Sequence, residues 1–288
     1  FSSLLSQNNF EVVTQDLLLE EIDPEAEAAV LFAPSEDLDE AQLDKLDEFL
    51  DNGGQKGKTL LYFASANQAQ LPNLEAFLSE WGIVMEDATL YETNYSRIYN
   101  YSPYYSIVDF VNTEIYEDTS AYLLMPNARV MDTAYTERDS RTVEVLLKFG
   151  STAKALPNDA AEDFDIESAE TYAFPALIQS TLQKSAGNAN ATGTAMLESH
   201  VVVSSSAMSC ESSLLNGSTF VNGKYYIALL NSLLGRESNF SITAKTLDTT
   251  TLTMTNFQIL SIGAAFAIII PLVILIVGVV VWLRRRHK

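Results

Sequence analysis

The chain has 288 residues, of which 47% are hydrophobic, and it contains 17 basic and 38 acidic residues, for a formal net charge of −21. A composition this acidic excludes nucleic-acid or anionic-lipid binding as the main role of its soluble part, since both need clustered cations. The single cysteine, Cys210, excludes an intramolecular disulfide framework.

The first third of the chain alternates between apolar runs and amphipathic segments. Continuous apolar runs at 29–33 and 59–64 predict strands that are buried on both faces. Helices are predicted over 39–51 and 72–81 from the spacing of their apolar residues, and a further strand is predicted from Ile83. Strands that alternate with helices through short connections predict an α/β fold with a mostly parallel sheet flanked by helices.

The helix over 39–51 has explicit signals at both ends. Asp39 with Gln42 three positions later is typical of a capping box at a helix N-terminus. The Asn-Gly-Gly sequence at 52–54 predicts the helix end, because these residues adopt left-handed backbone conformations readily. This is the best specified element of the chain.

The next segment is rich in tyrosine, with six tyrosines between 91 and 105. We expect most of these rings to pack on the sheet, because aromatic side chains bury large areas wherever they lie. The alternative is an aromatic contact surface that includes Tyr104 and Tyr105. Further strands are predicted at 141–150, 172–179 and 195–204, followed by a helix over 225–234.

The last thirty residues predict a membrane anchor. The apolar run from Ile259 to Leu283 would extend roughly 37 Å as a helix, enough to cross a hydrocarbon core of about 30 Å. Trp282 occupies an interfacial position, and the cationic residues that follow obey the positive-inside rule. This anchoring cluster consists of Trp282, Arg284, Arg285 and Arg286.

Four regions follow from these signals: an extracytoplasmic α/β domain (1–235), a Ser/Thr-rich connector (236–256), a transmembrane helix (257–283) and a basic cytoplasmic tail (284–288). We expect a single-pass protein of the cell membrane whose main domain lies outside. Secreted eukaryotic domains of this size usually contain disulfides, so a bacterial protein is favoured. Because the sequence starts at Phe1 without a signal peptide, we expect that a segment precedes it.

The sequence offers few groups for catalysis. His200 is the only histidine before the tail, so the usual zinc sites cannot be built, and no nucleophile elbow, phosphate loop or dinucleotide fingerprint is present. We therefore predict no catalytic residue, no cofactor and no metal. The turn formed by Ser204, Ser205 and Ser206 follows a predicted strand, where open α/β sheets bind ligands, and it is a candidate for contact with a ligand or partner.

Several segments resemble the outer domain of GldG-like auxiliary components of ABC transporters. These segments are 30–34, 38–54, 71–83, 201–205 and 225–235, followed by a Thr-rich stretch, a terminal span and an arginine tail. The resemblance implies a glutamine-amidotransferase-like α/β fold without its catalytic residues. It also implies assembly with a polytopic permease and a cytoplasmic ATPase. The chain departs from the family at Ser204–Ser206, where a Gly-Asp-Ser type turn is common, and it lacks the family's N-terminal span and Gly-His-Gly-Glu-like turn.

Two hypotheses about function therefore stand at this point. The first is a non-enzymatic, membrane-anchored accessory subunit of an ABC-type export system, with a permease, an ATPase and the lipid bilayer as partners and no nucleic acid. The alternative is a carbohydrate- or glycoconjugate-binding surface module. The tyrosine-rich segment and five Asn-x-Ser/Thr sequons favour this alternative. A third hypothesis, with less support from the sequence, is a hydrolase whose active site is built from scattered carboxylates.

Overall fold

The computed structural model describes residues 1–118, 120–185, 196–236 and 254–286. The α-helices are α1 (Ser2–Gln7), α2 (Glu40–Asp51), α3 (Pro72–Glu80), α4 (Ser212–Leu215), α5 (Asn222–Leu233), α6 (Asn256–Ala264) and α7 (Ile270–Arg286). The strands are β1 (Ala28–Phe32), β2 (Thr59–Phe63), β3 (Ile83–Glu92), β4 (Ile98–Tyr99), β5 (Ser102–Phe110), β6 (Leu123–Pro126), β7 (Arg129–Thr133), β8 (Glu137–Arg138), β9 (Arg141–Lys148), β10 (Ala153–Pro157), β11 (Pro175–Ser185) and β12 (Met196–Ser204).

The main sheet is mixed and has nine strands. Its order is β1-β2-β12-β11-β9-β5-β4, with β6 paired to β5 and β8 paired to β9. The pairs β1–β2 and β2–β12 are parallel, and the remaining pairs described in this sheet are antiparallel. A second, antiparallel sheet has the order β10-β3-β7.

The α/β fold with flanking helices is confirmed, whereas the prediction of a mostly parallel sheet is wrong. Parallel neighbours need long crossover connections, and α2 supplies one between β1 and β2. Strand β3, expected to continue this pattern, instead joins the second sheet, and burial alternates along most of its length as in an antiparallel strand with one solvated face.

Helices cover both faces of the main sheet. On one face, α2 and α3 pack through residues such as Leu50 and Leu78 against the side chains of Leu60 and Tyr62. On the other face, α5 and α1 pack against Leu61 and its neighbours. Alternate residues of β2 thus serve two separate cores, which explains why this strand is apolar throughout.

The predicted ends of α2 are observed. The side chain of Asp39 accepts a hydrogen bond from the Gln42 backbone nitrogen (2.9 Å), and the Gln42 side chain accepts one from the Asp39 nitrogen (3.0 Å). Asn52 and Gly53 have φ values of 48° and 59°, and these left-handed residues end the helix.

The C-terminal part forms one long helical segment. From Asn256 to Arg286 it is apolar and long enough to span a membrane. A π-turn over Ala265–Ile269 separates α6 from α7 and ends two residues before Pro271, whose missing N–H cannot complete a regular helical ladder. Most of the predicted connector, residues 237–253, lies outside the described residues.

Candidate functional site

The predicted serine turn lies at the end of β12, at the edge where the three parallel strands end. The structure places it inside the protein: Ser204, Ser205 and Ser206 are at most 1% exposed. The Tyr226 hydroxyl lies 2.6 Å from Ser209 Oγ and 3.3 Å from Ser204 Oγ. Because Ser209 Oγ donates to the Ser206 carbonyl, it accepts the hydrogen bond of the Tyr226 hydroxyl. Burial raises the pKa of Tyr226 and keeps this hydroxyl protonated.

Asn222, at the start of α5, completes this buried polar network and is fully buried itself. Its Nδ2 donates to the carbonyls of Leu124 (2.8 Å) and Ser209 (3.0 Å), and its Oδ1 accepts from the Leu124 nitrogen (3.1 Å). Ser206 Oγ also donates to the Pro126 carbonyl. The serine turn therefore joins β6, β12 and α5, and ligand or partner contact through its hydroxyls stays a prediction.

A polar cleft of about 550 Å³ opens beside the turn after β2. Its lining includes Gln70, Asp87 and Asn158. Hydrogen bonds from Asn158 (2.7 Å) and Gln70 (2.6 Å) hold the pKa of Asp87 below its usual range. These groups can hydrogen-bond a polar ligand, and the Asp87 carboxylate already accepts from two of its neighbours.

A buried ion pair lies close to the same turn. Arg129 is 1% exposed, and its Nη2 lies 2.6 Å from Glu75 Oε1 while its Nε donates to the Glu86 carbonyl (2.8 Å). Glu75 Oε1 also accepts from the Leu71 nitrogen (3.1 Å), at the start of α3. The pair therefore ties β7 to α3 and to the strand β3. Sequence reasoning missed it, since nothing local marks Arg129 as buried.

The two reactive side chains considered from the sequence are engaged or shielded. His200 Nδ1 lies 3.0 Å from Thr181 Oγ1 on the neighbouring strand, and burial lowers the pKa of His200. Cys210 is a free, buried thiol whose pKa burial raises to about 12. Within the described ranges, no group of three or more His, Cys, Asp or Glu side chains fits a metal ion.

The tyrosine-rich segment forms strands and a hairpin. Tyr104 is half-buried with its ring edge-on to Tyr91 (5.6 Å between centroids), and Tyr105 packs on the apolar cluster around Phe220. The exposed rings are instead Tyr95 (40%) and Tyr101 (56%), which contact each other with centroids 6.0 Å apart. Tyr104 and Tyr105 thus pack against neighbouring side chains as expected, whereas Tyr95 and Tyr101 are exposed.

Tyr101 is held in an unfavourable backbone conformation. It follows Asn100 in the two-residue turn between β4 and β5. The φ values are 53° at Asn100 and 57° at Tyr101. Such turns favour Asn followed by Gly, because a bulky residue at positive φ is strained. The chain has the favoured asparagine but a tyrosine where glycine fits best.

Two substitutions of Tyr101 separate the strain from the ring contact. Both Tyr101→Gly and Tyr101→Ala remove the ring, but only glycine removes the clash at positive φ. We expect the glycine variant to be more stable than the alanine variant by about 1 kcal/mol. Urea denaturation of the full chain in detergent, followed by circular dichroism, measures the difference. Equal stability of the two variants would show that the turn is not strained at this position.

The anchor residues lie on the last turns of α7. Trp282 is exposed, and the Arg286 guanidinium lies 5.3 Å from its ring centroid. Arg284, Arg285 and Arg286 occupy the final turn, where cations also interact favourably with the helix dipole. This arrangement has the composition of an interfacial anchor; the side of the membrane on which it lies stays a prediction.

Fold and anchor together define a class: a mixed-sheet α/β domain followed by one helix that is long and apolar enough to span a membrane. No family model matches the chain, and no curated protein matches it. Among solved structures, the chain is similar to one described as "mmIFT52 N-terminal domain". The TM-score is 0.54 and the identity 14%, over 81% of this chain and 88% of that chain. At this identity the likeness shows a shared fold and nothing about binding or assembly.

Proposed function

We propose that the chain is a membrane-anchored, non-enzymatic accessory subunit of an ABC-type export system in a bacterium. In this proposal it is a GldG-like component with a glutamine-amidotransferase-like domain outside the cell and a basic tail in the cytoplasm. The observation that supports it most is the pairing of a folded, acidic α/β domain with an apolar helix whose side chains are exposed along its length. Such a helix needs lipid or partner helices around it.

The state of the polar groups supports a binding role over a catalytic one. The hydroxyls of Ser204 and Ser206 form hydrogen bonds inside the protein, and Cys210 is buried. The His200 ring is half-buried beside Thr181. General acid–base or nucleophilic catalysis needs a reactive group that faces a substrate site. In the open polar cleft, the Asp87 carboxylate is held by hydrogen bonds from Gln70 and Asn158, an arrangement that suits the binding of a polar ligand.

Small residues on the apolar helix offer a surface for packing against a permease. Apart from the chain neighbours and the backbone of the helix itself, no described atom lies within 4 Å of a Cβ built at Gly263 or Gly278. Helices in membranes associate closely where small residues allow their backbones to approach. We therefore assign the permease contact to the helix and the contact with a substrate or further partner to the domain.

Affinity purification from native membranes in mild detergent, with identification by mass spectrometry, tests the proposal. We expect a permease and an ATPase to co-purify in fixed ratio, and the Gly263→Leu, Gly278→Leu double variant to recover much less of both. The matched control is Val273→Leu, which changes an exposed apolar side chain without adding bulk at a glycine. Recovery of the chain alone, in the unaltered form, would contradict the proposal.

Carbohydrate binding has less support from the structure. The rings first considered for stacking on sugars, Tyr104 and Tyr105, are half-buried against neighbouring side chains. Binding on a broad glycan array that is lost in a Tyr104→Ala, Tyr105→Ala variant would nevertheless establish it.

A further inference from the structure

The point where the chain leaves the domain is well defined. Thr255 is 3% exposed and Asn256 is fully buried, whereas Phe257 and most of the residues after it are exposed. Thr255 caps α6, with its Oγ1 accepting from the Gln258 nitrogen (3.3 Å). Helix α6 contacts the short 3-10 turn at Tyr95–Arg97. This turn therefore lies beside the start of the apolar helix.

The segment that forms the surface next to this exit contains no acidic residue. Residues 93–108 contain no aspartate or glutamate, although the whole chain has 38 acidic residues among 288. The charged side chain in this segment is Arg97, which pairs with Asp109 (2.9 Å). An acidic domain is repelled by an anionic bilayer, and a surface segment without acidic residues beside the exit lowers that repulsion.

The exposed rings of this surface have the chemistry of a membrane interface. Tyrosine places an apolar ring in the headgroup region while its hydroxyl stays in water, which is why it is enriched there. Tyr95 belongs to the turn that contacts α6, and its ring touches that of Tyr101. Tyr101 has a positive φ at a position where glycine would be less strained, and this strain fits a role for its exposed ring.

We propose that Tyr95 and Tyr101 contact the lipid headgroup region and seat the domain on the bilayer surface. This inference rests on the membrane anchoring in the proposed function and adds a second attachment point to it. The β4–β5 hairpin then faces the lipid. Strand β1, at the other edge of the sheet, lies six strand spacings away, or about 29 Å.

Site-specific fluorescence in vesicles tests the contact directly. The full chain with Cys210→Ala is given one new cysteine, at Ser96, Val30 or Ile274, and is labelled with a polarity-sensitive nitrobenzoxadiazole dye. It is reconstituted into equimolar phosphatidylethanolamine and phosphatidylglycerol vesicles that contain either headgroup or acyl-chain nitroxide lipids. The Ser96 label keeps both tyrosines and lies in the turn that contacts α6. The Val30 label is the matched control on β1.

We expect the Ser96 label to be blue-shifted and quenched by headgroup nitroxide, and the Val30 label to show neither change. In a Tyr95→Ser, Tyr101→Ser background the Ser96 label should lose its quenching. If Ser96 is unquenched while the Ile274 label is quenched by acyl-chain nitroxide, the inference fails and the anchor stands. If Ile274 is also unquenched, the anchoring itself fails. Quenching at both Ser96 and Val30, or quenching at Ser96 that survives loss of both tyrosines, would also overturn the inference.

Discussion

Replacing Asn222 by alanine is expected to lower the free energy of unfolding by about 4 kcal/mol, because it leaves several buried polar groups without partners. The Asn222 amide pairs with both backbone groups of Leu124 and with the Ser209 carbonyl, all inside the protein. Alanine can replace none of these hydrogen bonds, and water has no access to do so. Urea denaturation of the full chain in detergent, followed through the fluorescence of buried Trp81, measures the loss.

Asn216→Ala is the matched control for this experiment. The Asn216 amide is exposed and donates to the Ser212 carbonyl (3.1 Å), so we expect a change within about 0.5 kcal/mol. If Asn222→Ala were as mild as this control, the serine turn would not depend on the Asn222 amide. The packing of the surrounding apolar side chains, and not the polar network, would then hold the serine turn in place.

Replacing Arg129 by methionine is expected to destabilise the domain by about 3 kcal/mol, since the change leaves the Glu75 carboxylate without its cation. Methionine fills much of the space of the arginine stem, so the loss reports the ion pair and the Glu86 contact more than a cavity. Glu75 is 24% exposed at its side chain, and water that reaches it keeps the loss below that of a fully buried pair. The same denaturation experiment measures the effect.

Two further variants identify the source of that loss. Arg129→Lys keeps the charge but cannot donate to both Glu75 and Glu86 in the same geometry, so we expect an intermediate loss. The double variant Arg129→Met, Glu75→Gln removes the unpaired charge and should recover part of the stability. No recovery in the double variant would show that packing of the arginine stem, and not its charge, stabilises this region.

Local signals in the sequence predicted the elements of the fold better than their pairing. The capping box of Asp39 and Gln42 uses residues three apart, so it can be recognised without knowing the fold. The antiparallel pairing of β11 with β12, and the place of these two strands between β9 and β2, depend on contacts that apolar runs do not encode. Apolar runs show that a strand is buried, but they do not show whether its neighbour is parallel.

The candidate site shows the same limit at the level of side chains. Ser204, Ser205 and Ser206 follow a buried strand, which predicts a polar turn at the sheet edge. Ser204 lies near Tyr226 on α5 and Ser206 donates to Pro126 on β6, and neither contact can be recognised in the local sequence. Conversely, Tyr95 and Tyr101 became distinct from the other tyrosines only when their exposure and the position of α6 were known.

The π-turn before Pro271 has a consequence for how this helix can pair with another. A π-turn accommodates one residue more than a regular turn, so residues on its two sides are out of phase by one position. Gly263 and Gly278 are fifteen residues apart in sequence, but across the π-turn they are about fourteen regular positions apart, which is two heptads. A partner helix that crosses at a shallow left-handed angle would therefore meet both glycines along one seam.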